Sequence, residues 1–165
     1  MTVTKIYNPR EPVFGPLSNN YVKPFFIDSD KYGSVSNFMY SNLLSKKGSN
    51  KLLLKNGPVK NIFKLYKNLL FLESKELVFE IINISIEKLL NFSETFRKAL
   101  IETKNYYIIY QSDNKLFGVD SNGDGENLYG KLLMQHRLNL LMKKENIEKD
   151  QTKSKEEKLI ESMLH

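Results

Sequence analysis

Cysteine and tryptophan are absent from this chain of 165 residues, and histidine occurs only twice, at His136 and His165. Because there is no cysteine, disulfides, zinc–thiolate sites and thiol nucleophiles are all excluded. Two histidines, one of them the last residue, leave almost no material for a histidine-built metal centre or a Ser-His-Asp triad. We therefore expect neither a metal nor a cofactor.

Long apolar runs are also missing. No stretch approaches the roughly 20 apolar residues that a membrane-spanning helix needs. The start of the chain, "MTVTKIYNPREP", lacks the basic and apolar regions of a signal peptide. We expect an intracellular protein of the cytoplasm or nucleus, neither secreted nor bound to a membrane.

Acidic residues are absent between Lys31 and Glu73, whereas lysines accumulate there and the net charge of the chain is +6. Their spacing of three or four places them along helix faces, where they could neutralise the phosphates of a nucleic acid. The alternative is a solvated face, which the scarcity of arginine favours, since arginine is the usual reader of phosphates and bases. The lysines in question are Lys46, Lys47, Lys51, Lys55, Lys60, Lys64 and Lys67.

The length suits one domain with a real core. Prolines punctuate residues 1–31, which predicts extended and looped structure, with "YVKPFFID" as a possible edge strand because Pro24 cannot donate to a ladder. From Ser34, a candidate N-cap, helical signals dominate, and "NGPV" separates two short basic helices. The next predicted helix is "SKELVFEIINISIEKLLNF", with Leu77, Ile81, Ile84 and Leu89 at helical spacing.

The second half of the chain contains two further predicted helices and one predicted strand. Ser93 is a candidate cap for another helix, "NYYIIYQ" predicts a strand, and "LYGKLLMQHRLNLLMKK" is the most strongly helical stretch. We predict an α+β, predominantly helical domain over residues 1–142, followed by a charged helical extension over 143–165. The face expected to be buried in the last predicted helix consists of Leu132, Leu133, Leu140 and Leu141.

The extension is rich in charge, but it ends in apolar residues at a spacing that suits docking. It could contact a protein partner, and docking on its own domain is equally simple. These apolar residues are Leu159, Ile160, Met163 and Leu164.

The loop "DSNGDGENLYGKLLM", residues 120–134, invites a calcium interpretation, because Asp120, Asn122 and Asp124 occupy loop positions 1, 3 and 5 of an EF-hand. Position 12, where a bidentate Glu closes the coordination shell, is Lys131, which argues against calcium. Neither phosphate-loop glycine spacing fits. A glycine-rich surface turn is the simpler interpretation.

Residues 117–137, "FGVDSNGDGENLYGKLLMQHR", closely resemble the end of the NADAR family, the YbiA-like N-glycosidases. The family pattern is Trp-Gly, then G-x-G-x-N-x-x-G, then Leu-Met and an Arg. The positions that fall on this pattern without a gap are Phe117, Gly118, Gly123, Gly125, Asn127, Gly130, Leu133, Met134 and Arg137.

A second block, "LSNNYVKPFFIDSDKYGSVSNFMYSN", is similar to the family's S-N-F, Pro, Asp-Gly turn and W-P-T-x-E-H-Y-x-Q stretch. Two blocks in the right order imply the YbiA-like fold. The positions in register are Ser18, Asn19, Pro24, Asp28, Tyr32, Ser34 and Phe38.

The resemblance implies cleavage of an N-glycosidic bond in a ribose-containing substrate, either an ADP-ribosyl adduct or a phosphoribosylated intermediate. Such cleavage builds positive charge at the anomeric carbon, which carboxylates stabilise, and it needs an activated water. In this chain Ser36 stands at the family's Glu and Asn37 at the His that follows. Asn114 stands at the family's Asp, with Asp113 one residue out of register, and Tyr110 stands where a Glu commonly precedes.

Serine and asparagine side chains cannot carry the charge or act as a base near neutral pH. We therefore predict a catalytically degenerate N-glycosidase relative that acts as a binding or structural subunit in a larger assembly, with partners bound through the C-terminal helix. The alternatives are an active N-glycosidase that uses Asp113, and a nucleic-acid-binding protein that uses Lys46 to Lys67.

The resemblance also carries a set of candidate site residues. Those at the catalytic positions are Asp113, Ser36 and Asn114. Those predicted to bind a nucleotide-like or ADP-ribose-like ligand are Asn19, Asn37, Gly118, Gly123, Gly125, Asn127 and Arg137. For Gly123, Gly125 and Asn127 the simpler interpretation is that they fix the turn, and for Arg137 that it pairs with a structural acid. Asn19 is more simply a turn amide, whereas for Ser36 and Asn37 the binding and structural interpretations are equally open.

Overall fold

The computed structural model describes residues 3–6, 10, 12–44, 51–70 and 74–163. Its strands are β1 Val3–Ile6, β2 Phe25–Ile27, β3 Asp30–Tyr32 and β4 Tyr107–Tyr110. Its helices are α1 Val35–Leu44, α2 Lys51–Asn56, α3 Val59–Leu70, α4 Lys75–Phe92, α5 Glu94–Glu102 and α6 Leu128–Met163, and a 3₁₀ turn covers Gly15–Leu17.

The strands form two small sheets within these residues. β1 pairs in parallel with β4, with Val3 opposite Tyr107, and β2 pairs with β3 as an antiparallel hairpin. β2 lies within the predicted edge strand, directly after Pro24, and β4 lies within the predicted "NYYIIYQ" strand. The expectation that residues 1–31 are otherwise looped misses β1 and β3. β1 has only four residues, and its partner follows five of the described helices, so no local pattern announces it.

Helix α1 lies at the centre of the fold and contacts α2, α3 and α4. The predicted cap is confirmed, because the backbone N–H of Asn37 donates to Ser34 Oγ at 3.3 Å. A helix that is buried nearly all round belongs to a core rather than to a surface. Its buried residues are Val35, Ser36, Asn37, Phe38, Met39, Ser41, Leu43 and Leu44.

Helix α4 packs on α1, α6 packs on β4, and α4, α5 and α6 contact one another. The predicted cap Ser93 accepts a hydrogen bond from the N–H of Phe96 at 3.2 Å, which starts α5 immediately after α4 ends. Leu77, which the sequence placed on the buried face of α4, is 37% exposed because it lies in the first turn. The face that is buried consists of Val78, Ile81, Ile82, Ser85, Ile86, Leu89 and Leu90.

Helix α6 buries Leu132 and Leu133, while Leu140 and Leu141 are only half-buried. The helix continues through Met163, so the predicted boundary after residue 142 falls inside it. The apolar side chains expected to dock, Leu159, Ile160, Met163 and Leu164, lie outside the side chains that the structure describes.

The predicted fold class, α+β and predominantly helical with a small amount of sheet, is confirmed. Among the described helices, none combines the length and apolar character that crossing a bilayer requires.

Candidate functional site

A cavity of about 400 Å³ lies where the two sequence blocks meet. This volume falls in the range of small-molecule sites. Its walls come from the N-terminal loop, α1, the start of α3, the end of β4 and the loop that follows. The lining residues are Asn19, Asn20, Met39, Tyr40, Val59, Lys60, Tyr110, Ser112, Asp113, Asn114 and Phe117.

The N-terminal wall is held by hydrogen bonds to α1 and β4. The backbone N–H of Ser36 donates to Asn19 O at 2.9 Å, and Ser36 Oγ donates to Asn20 Oδ1 at 2.7 Å. The hydroxyl of Tyr110 donates to Asn19 Oδ1. Ser36 is 1% exposed and lies behind the lining, where it holds Asn20 in place.

The opposite wall is the turn after β4, which contains both candidate residues from the second block. Asn114 Oδ1 accepts a hydrogen bond from the N–H of Leu116 at 3.0 Å, and the N–H of Asn114 donates to Ser112 Oγ at 3.1 Å. Asp113 is exposed, and among the described lining residues it carries the only carboxylate. The structure therefore brings Asp113 and Asn114 to one cavity together with Asn19.

Two tyrosines line the cavity as neutral groups. Burial raises the pKa of Tyr40 to about 12 and raises the pKa of Tyr110 further above its ordinary value. Both hydroxyls therefore keep their protons at neutral pH. Among the described lining residues, Lys60 is the one cation and Asp113 the one carboxylate.

The glycine loop supports this wall from outside the cavity, because none of the described residues Gly118, Gly123, Gly125 and Asn127 is among its lining. Asn127 has a φ of 53° and is buried. Its Oδ1 accepts from the N–H of Tyr110 at 2.9 Å, and its Nδ2 donates to Ile108 O at 2.8 Å. The side chain thus takes the place of a neighbouring strand along β4 and fixes where α6 begins.

Asn37 and Arg137 also lie away from the cavity. Asn37 Nδ2 donates to the carbonyls of Leu54 and Gly57, each at 2.9 Å, and so ties α1 to the end of α2. The guanidinium of Arg137 donates to Thr103 Oγ1 at 2.6 Å and to Tyr106 O at 3.0 Å, just after α5. Burial lowers the pKa of Arg137. The groups that Arg137 binds are thus a hydroxyl and a backbone carbonyl.

The acids of the glycine loop are used within the loop. Asp120 Oδ1 accepts from the N–H groups of Asn122 at 2.9 Å and Asp124 at 3.0 Å, and these backbone bonds, led by that from Asp124, lower the pKa of Asp120. Lys115 Nζ lies 3.2 Å from a carboxylate oxygen of Asp120 and 3.2 Å from one of Asp124. Across the described residues, no three His, Asp or Glu side chains gather as metal ligands.

The lysines between Lys46 and Lys67 have different surroundings in the structure. Lys55 pairs with Asp30 at 2.6 Å, Lys60 lines the cavity, and Lys64 is exposed. Lys46 and Lys47 lie outside the described residues, as do the side chains of Lys51 and Lys67.

Sequence reasoning did not select Asn20 or Lys60 as site residues. Asn20 directly follows Asn19, and Lys60 is the second residue of a helix that begins after Pro58. Asn20 lies inside the second matched block but is not among its positions in register with the family, and Lys60 lies outside both blocks. The start of a helix beside a proline was the one available signal for Lys60.

The arrangement of α1, the β1–β4 pair and the cavity between them defines a YbiA-like α+β fold. The structure matches the NMR structure of the E. coli protein YbiA with a TM-score of 0.67 over 87% of each chain, at 14% sequence identity. This confirms the fold that the resemblance predicted.

Two viral proteins are similar to the chain in sequence. Uncharacterized protein 113L of Invertebrate iridescent virus 3 is 31% identical over 145 residues, which cover 88% of this chain and 18% of that protein. Uncharacterized protein 155L of Invertebrate iridescent virus 6 is 32% identical over 128 residues, which cover 78% of this chain and 50% of that protein. The chain therefore spans half or less of these relatives. No family model matches the sequence.

Proposed function

We propose that this protein is a catalytically degenerate relative of the N-glycosidases that binds a ribosylated, nucleotide-like small molecule in its cavity. The observation that carries the proposal is a cavity of about 400 Å³ in a YbiA-like fold with Ser36 and Asn114 at the two expected acidic positions. Both residues are engaged in hydrogen bonds that shape the wall. The cavity thus has room for a ligand but no carboxylate at either of the two positions where the family has its acids.

Hydrolysis of an N-glycosidic bond adds a water oxygen to the anomeric carbon while the carbon–nitrogen bond breaks and the nitrogen takes up a proton. A nearby carboxylate stabilises the transition state, and a general base activates the water. Ser36 lies behind the lining and Asn114 is a neutral amide, so neither can supply these functions.

Isothermal titration calorimetry with ADP-ribose and with ribose 5-phosphate tests the binding proposal. We expect both to bind, and we expect Lys60→Ala to weaken binding about tenfold, since hydrogen bonds to charged groups are the strong ones. Lys64→Ala is the matched control, because Lys64 is exposed one turn later on α3 and lies outside the lining. Absence of binding to the wild-type protein would contradict the proposal.

The same pair of variants separates this proposal from binding of nucleic acid through Lys46 to Lys67. A charged stripe neutralises phosphates without regard to the cavity, so Lys60→Ala and Lys64→Ala would then weaken nucleic-acid binding equally. The affinity would also fall steeply with salt concentration.

One observation favours the second candidate, an active N-glycosidase, because Asp113 lines the cavity beside Asn114. Incubation with an ADP-ribosylated nucleobase and with a phosphorylated ribosylamino-pyrimidine, followed by chromatography, tests it. We expect no release of free base. Release that falls by about 10²-fold or more in Asp113→Ala would establish Asp113 as a base and overturn the degenerate assignment.

We also propose that the chain works within a larger assembly. In the viral relatives the matched segment is 18% of one protein and 50% of the other, so there it is joined to further chain. The segment from Lys143 continues α6, and its described side chains are exposed, which suits a contact with a protein partner.

A further inference from the structure

Strand β2 lies at an edge of its sheet, because among the described strands β3 is its one neighbour. Ile27 and Asp30 face each other on either side of the two-residue turn that closes this hairpin. Hydrogen-bonded and non-bonded pairs alternate along an antiparallel ladder, and the pair next to a two-residue turn is a bonded one. The next pair, Phe26 and Lys31, is therefore non-bonded. The N–H and C=O of Phe26 thus point away from β3, toward the open edge.

These main-chain groups of Phe26 are free. No hydrogen bond from outside the hairpin reaches them within the part of the chain that the structure describes. The side chain of Phe26 is also 57% exposed, because Phe25 takes the buried face of the strand. A strand edge that combines free N–H and C=O groups with an exposed aromatic side chain is a template for pairing with another chain.

Further exposed apolar side chains lie near this edge. Val22, which precedes β2, is 78% exposed, and Phe92, the last residue of α4, is 67% exposed. A groove of about 190 Å³ separates β2 from the end of α4, and Phe26 and Phe92 are both among its walls. Single exposed apolar side chains are ordinary, but a group of large ones marks a surface where another chain binds.

The charges along this edge suit a second copy of the same strand. Lys23 precedes β2 and Asp28 follows it, and both side chains are exposed. Antiparallel pairing with a two-fold axis at Phe26 brings the Lys23 end of each strand to the Asp28 end of the other. Parallel pairing in the same register would instead bring like charges together, which destabilises a strand pair. The edge is therefore self-complementary in one orientation.

The same residues disfavour other strands. Lysine, proline and short length are the usual protections of a strand edge, and β2 has only three residues after Pro24. A pair centred on Phe26 exchanges its two hydrogen bonds between the copies of that residue, so it needs no donor from Pro24. The acid that Lys23 meets is then supplied by the second copy. These features select a second copy as the occupant of the edge.

We propose that two copies of this chain pair through β2 in antiparallel orientation, so that their hairpins form one four-stranded sheet. The N–H of each Phe26 donates to the C=O of the other, and the two phenyl rings lie opposite each other across the two-fold axis. A contact built on three-residue strands is small, so we expect a dissociation constant of about 10–100 μM. Phe26 does not line the cavity of about 400 Å³, so the pairing is independent of what that cavity binds.

Sedimentation velocity of the full chain from about 5 to 500 μM tests the pairing, since mass action populates a weak dimer only at high concentration. We expect Phe26→Glu to weaken association at least about tenfold, because it places two carboxylates opposite each other. Leu138→Glu is the matched control, because Leu138 is 58% exposed and lies on α6. It should change association less than about twofold. A wild-type protein that stays monomeric, or equal effects of the two variants, would overturn the proposal.

Charge reversal tests the orientation. Lys23→Glu and Asp28→Lys should each weaken association about threefold or more, because like charges then meet at both ends of the strand pair. The double variant should return to within about twofold of the wild type. Asp28 has a φ of 55°, so lysine is strained there, but the strain is present in the double variant too and does not explain a recovery.

Amide hydrogen exchange of the unmodified protein, measured by NMR, gives a readout that no substitution disturbs. The N–H of Phe26 should exchange about threefold more slowly at about 500 μM than at about 20 μM, because pairing protects it. The N–H of Lys31 is the control, since it points to the outer edge of β3 and should exchange equally fast at both concentrations. No slowing at Phe26, or equal slowing at both amides, would contradict pairing through β2.

Discussion

At the scale of single residues, Asn127 shows why the glycine loop contains an amide at one fixed position. Its backbone takes the left-handed conformation, which asparagine tolerates better than most residues. Its side chain satisfies both an N–H and a carbonyl of β4, and no residue of another length could do both. Conformation and hydrogen bonding therefore select the same amino acid.

Replacement of Asn127 by alanine removes both bonds and leaves the N–H of Tyr110 and the carbonyl of Ile108 buried without partners. We expect the free energy of unfolding to fall by about 2–6 kcal/mol, because each of the two buried groups costs about 1–3 kcal/mol. Urea denaturation measures the loss. Asn122→Ala, in the exposed part of the same loop, should stay within about 0.5 kcal/mol of wild type, and equal losses would refute this role for Asn127.

Residue roles were only partly predictable from the sequence. The paired blocks indicated that Asn19, Asp113 and Asn114 belong together, and the structure brings these three to one cavity. Asn37 could not be placed, because the carbonyls it binds belong to α2, and nothing local in the sequence marks them as its partners. Whether a polar residue faces a ligand or a backbone carbonyl depends on contacts between distant segments.

At the scale of elements, the loop between β4 and α6 is held by close backbone approach. A Cβ at Gly125 would lie 2.0 Å from the carbonyl oxygen of Gly118, and Gly125 has a φ of +143°. At Gly123, with a φ of +91°, a Cβ would meet nothing within 4 Å. The two glycines therefore differ in whether space is limiting as well as conformation.

We predict that Gly123→Ala costs about 1–2 kcal/mol from backbone strain alone. Gly125→Ala should cost about 3 kcal/mol or more, because strain adds to a clash with backbone that has no flexible end to move away. Thermal or urea unfolding of the two variants measures the difference. Similar losses would show that the loop does not need the close approach at Gly125.

Elements with local signals were predictable, and elements that depend on distant partners were not. Ser34 and Ser93 marked the starts of α1 and α5, since a cap is a contact between residues three apart. The β-rich run before the loop gave β4. β1 was not predicted, because a four-residue parallel strand is stabilised by a partner strand that lies far away along the sequence.

At the scale of the whole molecule, His136 couples stability to pH. It lies on α6, its Nε2 is 2.9 Å from Asn83 Oδ1 on α4, and burial lowers its pKa while Glu87 opposes the shift. The unfolded chain therefore takes up a proton at higher pH than the folded chain does. Stability is unaffected above the ordinary histidine pKa and is lost as pH falls below it toward the folded value.

We expect the free energy of unfolding to decrease between pH 7.5 and pH 5.5 in the wild-type protein and to decrease less in His136→Gln, which cannot titrate. Urea denaturation at both values measures the two slopes. The pKa of Asp120 is lowered, so its effect on stability falls at more acidic pH and does not add to the change between pH 7.5 and pH 5.5. Identical slopes would show that another group carries the pH dependence.

Helix α6 runs without a break from Leu128, next to the wall of the cavity, to Met163. At 1.5 Å per residue its 36 residues span about 54 Å, well beyond the 30 Å width of a small domain. A partner bound at the C-terminal end of this helix would therefore be held at a fixed distance from the cavity. Inserting or deleting four residues, about one turn, would move such a neighbour by about 6 Å along the helix axis and rotate it by about 40° around that axis.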